Sequence, residues 1–113
     1  ARTPGGDVTY RNKSLLEAAR YAPQCMSCLK HNDGTVVAAH SNQQRDNKGV
    51  GHKSSDYRVA YVCNSCHSNL DQGMYLDKQS RIDVWELAHR RTIGWLFETG
   101  VLAVDIDVLR LRR

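Results

Sequence analysis

The chain of 113 residues is short enough to predict a single domain over residues 1–113, and its composition, 41% apolar and 25% charged, is typical of a globular protein rather than a disordered one. No run of about 18 apolar residues occurs, so no membrane-spanning helix is predicted. The net charge of +4 is mildly basic and compatible with a polyanionic partner, although many domains of other function carry as much charge.

The amino-terminal segment predicts a flexible arm followed by a short helix. Residues 1–12 contain a Pro-Gly-Gly sequence at 4–6 that interrupts regular structure, so they are interpreted as the arm. Ser14 can cap a helix that runs to about Tyr21, with Glu17 three residues later as in a capping box.

The central part of the chain predicts two strands that flank a polar loop. A turn at 32–34, with the sequence Asn-Asp-Gly, precedes a strand over 35–39 that ends at His40. Residues 41–56 are polar and form a long surface loop, and 57–62 form a second strand. If the loop folds back, the two strands pair antiparallel.

Two helices are predicted after the second strand. A helical turn over 66–72 places His67 and Asp71 four residues apart on one face. A longer helix runs over about 81–98, with Ser80 as its cap and apolar residues at helical spacing.

The end of the chain is predicted as a tail over 101–113 that follows a helix stop at Gly100 and forms a short helix or strand. Three aromatic residues of the long helix are interpreted as core residues rather than as platforms for nucleic-acid bases. They are Trp85, Trp95 and Phe97.

Two Cys-x-x-Cys pairs contain all the cysteines of the chain and are its most specific motif. A two-residue spacer lets two thiolates bind one tetrahedral ion, and two such pairs complete a closed structural Zn²⁺ site. The predicted ligands are Cys25, Cys28, Cys63 and Cys66. Two disulfides or free buried thiols are the alternatives. The absence of an apolar signal region at residues 1–6 leads us to expect a cytoplasmic protein whose thiols stay reduced. The second pair is followed by His67 and so also fits c-type haem attachment, which would leave the first pair unexplained.

Taken in order, these features resemble the HNH endonucleases, the ββα-metal group, in the form that carries a four-cysteine zinc site. The closest resemblance is to small phage and prophage proteins regarded as HNH-type nucleases, and it covers roughly residues 15–96. The resemblance implies an α+β fold with a ββα-metal core and a structural zinc site, flanked by amino-terminal and carboxy-terminal helices. The stretches that carry it are Cys25 to Cys28, Thr35 to His40, Gly51 to Asp56, and Cys63 to His67 with Asp71.

The resemblance also implies a role for each residue that matches the motif. His40 would be the general base that takes a proton from the attacking water. Asp56 and His67 would take part in catalysis by holding Mg²⁺ or another divalent cation, and Asp71 would orient His67. Lys53 would contact the substrate phosphate.

The function implied is hydrolysis of DNA phosphodiester bonds in the cytoplasm of a bacterial host, by a phage or prophage protein. A second copy of the chain, or phage replication and recombination proteins, are further candidate partners. The chain departs from the motif at two positions, and the first of them, the residue before His40, favours an alternative. Many HNH enzymes carry Asp where this chain has Ala39, and Asp56 stands where Asn is usual. The alternative is a non-catalytic nucleic-acid-binding or protein-interaction module on the same scaffold, or a purely structural subunit.

Overall fold

The computed structural model describes residues 9–43, 53–72 and 76–112. These residues form an α+β domain, as predicted, with one two-stranded sheet covered by helices. The predicted loop over 41–56 is described only at its two ends, and Gly51 and His52 of the motif lie outside the described residues. The elements are α1 (Lys13–Glu17), a 3-10 helix (Ala18–Tyr21), β1 (Val37–His40), β2 (Val59–Val62), α2 (Asn64–Gln72), α3 (Lys78–Glu98) and α4 (Ile106–Leu111).

The two strands pair antiparallel, as predicted, with Val37 opposite Val62 and His40 opposite Val59. The ladder continues one step further, where the Ser41 N–H donates to the Arg58 carbonyl at 2.9 Å. Every residue of β2 is buried, whereas β1 is only partly covered. His40 therefore lies at the end of β1 where the chain leaves the sheet for the polar loop.

The second edge of β2 is bonded to α3 and to the first cysteine pair instead of to another strand. The Met26 N–H donates to the Tyr61 carbonyl at 2.8 Å, and the Tyr61 N–H donates to Thr92 Oγ1 at 3.0 Å. His89 Nδ1 lies 2.7 Å from the Val59 carbonyl, and because a carbonyl only accepts, this nitrogen carries the hydrogen. Side chains of α3 therefore replace a third strand.

The core lies between the sheet, α1 and α3. Tyr61 is fully buried, its hydroxyl donates to the Leu15 carbonyl, and burial raises the pKa of Tyr61 to about 12. Trp85 and Trp95 pack in or against this core, as predicted. Phe97 does not, because it follows the buried Leu96 directly on α3 and so points away from the core, with 49% of its surface exposed.

Both helix caps differ from the predicted residues. Asn12, not Ser14, caps α1, and its side-chain oxygen accepts from the Leu15 N–H at 3.1 Å. Asp77, not Ser80, caps α3 by accepting from the Ser80 N–H at 2.7 Å. Asn, Asp and Ser have nearly equal preference for the N-cap position. In both helices the earlier candidate, Asn12 or Asp77, has an extended backbone and therefore caps the helix.

The carboxy-terminal tail forms the exposed helix α4. Gly100, with φ of +77°, follows the end of α3, as predicted. Side chains of α4 are half or more exposed at most of its apolar positions, for example 85% at Leu111. Among the described residues, no helix combines the length and the apolar character that a membrane crossing requires.

Two glycines at the end of α3 predict opposite effects of alanine on stability. Gly94 lies inside the helix, where a Cβ would meet only the flexible Glu98 side chain, at 3.4 Å. Gly94→Ala should raise the free energy of unfolding by about 0.5–1 kcal/mol. Gly100→Ala should lower it by about 1 kcal/mol, because a left-handed φ is costly for a residue with a Cβ. Urea denaturation of both variants measures this, and shifts of the same sign would contradict the assigned helix end.

Candidate functional site

The four cysteines converge on one point beneath the sheet. Cys25 and Cys28 lie in the turn after the 3-10 helix, Cys63 joins β2 to α2, and Cys66 lies in the first turn of α2. All four sulfur atoms lie within 4.8 Å of one another, and those of Cys28 and Cys63 are 3.9 Å apart. Tetrahedral binding at about 2.3 Å from a Zn²⁺ would place the sulfurs about 3.8 Å apart. The tetrad is therefore able to hold a metal ion such as zinc, and none of the four cysteines forms a disulfide.

Backbone amides prepare this cluster to hold negative charge. The N–H groups of Ser27, Cys28 and Cys63 donate to Cys25 Sγ at 3.3–3.4 Å. Burial raises the pKa of Cys25, but these donors outweigh it and bring the pKa to about 7. Burial and the neighbouring sulfurs of Cys63 and Cys25 raise the pKa of Cys66 to about 12. One thiolate is thus stabilised by the protein, and the full set requires a bound cation.

The first cysteine pair is fastened to α3. Arg91 donates from Nη1 to the carbonyls of Met26 and Ser27, at 3.0 and 3.3 Å. Leu29, one residue after the pair, has φ of +66°, which lets its N–H turn back to the Cys25 carbonyl at 3.0 Å. The metal-binding turn is therefore positioned by the same helix that covers β2.

His40 at the end of β1 is held by Asp56 across the base of the polar loop. His40 Nε2 lies 2.8 Å from Asp56 Oδ1, and the His40 side chain is 16% exposed. On the other side of the strand end, the Trp85 indole N–H donates to the Ala39 carbonyl at 3.0 Å and fixes the preceding residue. The loop thus orients the imidazole, and α3 holds the backbone of the residue before it.

Asp56 is a buried carboxylate with both oxygens in use. Besides His40, it accepts from Arg11 Nη1 at 3.0 Å on Oδ1 and from the Asn12 N–H at 2.7 Å on Oδ2. Burial alone would raise the pKa of Asp56, but the bonds from His40, Asn12 and Arg11 together lower it. An ionised Asp56 can only accept, so His40 Nε2 carries the hydrogen and Nδ1 is left as the basic nitrogen.

Arg11 belongs to a segment that the sequence predicted as part of the flexible arm. Its guanidinium also donates to the carbonyls of Ser54 and Lys53, at 2.7 and 3.1 Å. Beside it, the Asp56 N–H donates to the Tyr10 carbonyl at 2.9 Å. Residues 10–12 are therefore bonded along the loop end, and Arg11 is a site residue that no motif of the sequence indicates.

His67 and Asp71 lie together on α2, one turn apart, as predicted. His67 Nε2 is 3.2 Å from Asp71 Oδ2, and both side chains are partly exposed, at 36% and 53%. Asn42 Nδ2 reaches Asp71 Oδ1 from the start of the polar loop, at 3.4 Å. The Asp71 carboxylate thus has a histidine on one side and an amide on the other.

A cavity of about 650 Å³ opens between the end of β1, α2 and the first half of α3. Its apolar part is formed by Leu70, Ile82, Trp85 and Ala39. Its polar walls are His40, Asn42, Gln43, Asp71, Lys78 and Arg81. A histidine, a carboxylate and two cations therefore face one space.

The predicted site residues divide into two groups in the structure. His40 and Asp71 share the cavity wall, whereas Asp56, His67 and Lys53 are absent from it. The predicted sharing of one cation by Asp56 and His67 stays a prediction, and both Asp56 oxygens accept from protein donors. Among the described residues the four cysteines are the one cluster with three or more ligands close enough to bind an ion. Lys53 contributes its carbonyl to Arg11, and its exposed side chain reaches none of these groups.

Comparison with protein-family models, with curated proteins and with solved structures found no match to this chain.

The Arg11–Asp56 contact predicts a stability effect with a defined pH dependence. Arg11→Gln removes one of the donors that compensate the buried charge, and should lower the free energy of unfolding by about 1–2 kcal/mol. The pKa of Asp56 is lowered below the ordinary 3.8, so its contribution is complete above that pH and is lost only as the pH falls through the lower folded value. The deficit should therefore still be present at pH 5 in urea denaturation.

The matched control for this prediction is Arg20→Gln, which removes an exposed arginine of the neighbouring 3-10 helix. It should change the free energy of unfolding by less than about 0.5 kcal/mol. A deficit for Arg11→Gln no larger than that for Arg20→Gln at pH 7 would contradict the assigned role of Arg11 in compensating the Asp56 charge.

Proposed function

We propose that this protein is a metal-dependent endonuclease that hydrolyses phosphodiester bonds in DNA, with a ββα-metal core like that of the HNH enzymes. The observation that carries the proposal is the setting of His40, which ends β1, is held through Nε2 by an ionised Asp56, and lines a cavity with a carboxylate and two cations. The order of strand, loop, strand and helix around it supports the same assignment. We assign the activity to the cytoplasm of a bacterial host, as the resemblance to phage and prophage proteins implies.

In this proposal His40 is the general base. Its Nδ1 takes a proton from a water molecule as the water oxygen attacks phosphorus, and the opposite P–O bond breaks with its electron pair on the departing oxygen. Asp56 accepts from Nε2–H throughout, so it keeps the required tautomer and stabilises the imidazolium that forms. Arg11 balances the charge of Asp56 and holds it towards His40.

The donor set near His40 fits a hard divalent cation best at Asp71. This carboxylate lines the cavity, is half exposed, and has His67 and Asn42 beside it, whereas Asp56 is buried and is not part of the cavity wall. Mg²⁺ commonly uses one or two carboxylates together with substrate oxygens, and when bound it supplies positive charge to the phosphate that is being cleaved. We therefore assign Asp71 and His67, rather than Asp56 and His67, as the residues that would hold it.

The cysteine tetrad is assigned to a structural Zn²⁺. Four thiolates at tetrahedral spacing, with amide donors on Cys25, match a closed zinc site and leave no open position for substrate. Since the tetrad joins the turn before β1 to the junction of β2 and α2, zinc would hold the two halves of the catalytic core together.

A second candidate is a zinc-stapled nucleic-acid-binding or protein-interaction module without catalysis. It is favoured by Ala39, which is buried and has no carboxylate to offer a second ion where many HNH enzymes have one. Salt-dependent DNA binding without cleavage in Mg²⁺, Mn²⁺ or other divalent cations would support this candidate.

The catalytic proposal predicts that His40→Ala lowers metal-dependent nicking of supercoiled plasmid by about 10²–10⁴-fold, because the base is lost. Asp56→Asn should lower it by about 10–100-fold, because the amide no longer secures the tautomer. Circular dichroism should show that both variants remain folded.

The control for this experiment is His31→Ala, which removes an exposed histidine outside the cavity. It should cut at the rate of the parent. Equal cutting by His40→Ala and the parent would reject His40 as the base, whatever the effect of the other substitutions.

The zinc assignment predicts one tightly bound Zn²⁺ per chain by metal analysis. Its removal with a strong chelator should unfold the domain, since structural zinc contributes about 10 kcal/mol or more in small zinc domains. Cys28→Ser should lower the zinc content, whereas Ser27→Ala, one residue away in the same turn, should keep it. A parent protein that is fully folded and free of metal would contradict the assignment.

A further inference from the structure

Two cations on the cavity wall take no part in the chemistry proposed above. Lys78 and Arg81 lie three residues apart on the first turns of α3, so they share one side of the helix. Both line the cavity that also contains His40 and Asp71. Their position brings positive charge to the wall formed by α3.

Arg81 is unusual because a donor of its guanidinium is buried and unused. Its Nε is enclosed and has no hydrogen-bond acceptor, the one such side-chain atom found among the described residues. Buried donors are bonded in nearly all proteins, so this unpaired one shows that the chain does not use the full hydrogen-bonding capacity of the Arg81 guanidinium. The two Nη groups at the end of a planar guanidinium match two oxygens of a phosphate group.

The neighbouring carboxylates do not satisfy these cations. Across the described part of the chain, none lies within ion-pair distance of Lys78 or Arg81. Asp77 accepts from the Ser80 N–H as the cap of α3. The bonds from Ser80 lower the pKa of Asp77, and the charge of Arg81 contributes least to this lowering. Asp71, across the cavity, is bonded to His67 and Asn42.

The rest of the cavity suits a nucleotide rather than a lone anion. At about 650 Å³ it is larger than a phosphate group requires, and Leu70, Ile82 and Trp85 give it an apolar part. A sugar or a base can occupy such a surface while its phosphate lies on the cations. This combination of positive charge and apolar surface is complementary to a DNA strand, which has phosphates beside sugars and bases.

We infer that Arg81 and Lys78 bind a backbone phosphate of the DNA strand, next to the phosphate that lies at His40. Arg81 binds two of its oxygens through the guanidinium, and Lys78 adds a point charge. This inference rests on the proposed nuclease function for its substrate, and it adds a positioning site that holds the strand in register with the base.

The test measures binding without cleavage. In a His40→Ala background, a short DNA duplex and, separately, inorganic phosphate are titrated at several salt concentrations with no added divalent cation. Tryptophan fluorescence is the readout. A Trp95→Phe substitution leaves Trp85, which lines the cavity, as the single reporter. Calorimetry of the same titrations provides a readout independent of fluorescence.

Arg81→Gln should weaken binding of both DNA and phosphate by about tenfold or more. It should also reduce the slope of log K against log salt for DNA by about 0.9, the value for one lost phosphate contact. Lys78→Gln should reduce the slope similarly with a smaller loss of affinity. Arg81→Lys should restore the slope but not the affinity, since it keeps the charge and loses the two-oxygen geometry.

The matched control is Arg90→Gln, which makes the same change of charge on an exposed position of the same helix, away from the cavity. It should change DNA affinity by less than about twofold. Equal losses for Arg81→Gln and Arg90→Gln would overturn the inference, because net charge alone would then explain them. A loss for phosphate with none for DNA would also overturn it, since the site would serve a free anion.

The two proposals can fail separately. If the parent protein does not cut DNA, yet binding depends on Arg81 and not on Arg90, the nuclease function falls and the phosphate site stands. If the parent cuts, and Arg81→Gln cuts and binds as the parent does, the phosphate site falls alone.

Discussion

The whole domain depends on completing the hydrogen bonds of a strand that is buried along its full length. Every residue of β2 is covered, so each backbone N–H and carbonyl must find a partner inside the protein. One edge pairs with β1, and the other is bonded to Met26, His89 and Thr92. Met26 lies inside the first cysteine pair, and Cys63 follows the last residue of β2. The turn that holds the first cysteine pair is therefore bonded directly to the edge of β2, and the second pair begins where β2 ends.

Contacts to β1 also position the imidazole of the candidate active site. Pairing with β2 fixes the backbone of His40 opposite Val59, and Trp85 of α3 donates to the carbonyl of the preceding residue. A buried carboxylate, Asp56, then joins three separate parts of the chain: the segment around Arg11, the end of β1 and the end of the polar loop. A charge that is costly to bury is tolerated because Arg11, the Asn12 N–H and His40 all donate to it. The result is an oriented histidine at the rim of a cavity.

The sequence predicts the local features well, because their signals are local. Spacing alone indicates the four cysteines as one cluster, β-branched and aromatic residues near Val37 and Val59 indicate two strands, and apolar periodicity indicates α3. The helix caps are displaced by two or three residues because Asn, Asp and Ser compete for that position.

Long-range contacts could not be predicted in the same way. Arg11 meets Asp56 across 45 positions of the chain and leaves no periodic trace. The motif predicts Asp56 as a metal ligand, but it does not indicate that Arg11, Asn12 and His40 donate to this carboxylate. Lys78 and Arg81 look like ordinary solvated charges on a helix, because a cavity is a property of the packed fold.

The way the polar loop is closed has a consequence for how such a protein can change. The loop ends are joined by His40 with Asp56, by the Ser54 hydroxyl with the Ser41 carbonyl, and by Ser41 with Arg58. The described contacts that close the loop join residues 40–41 to residues 54–58. The distance between the imidazole and its carboxylate is therefore set where the loop closes, and a change of loop length acts on it through the entropy of closure.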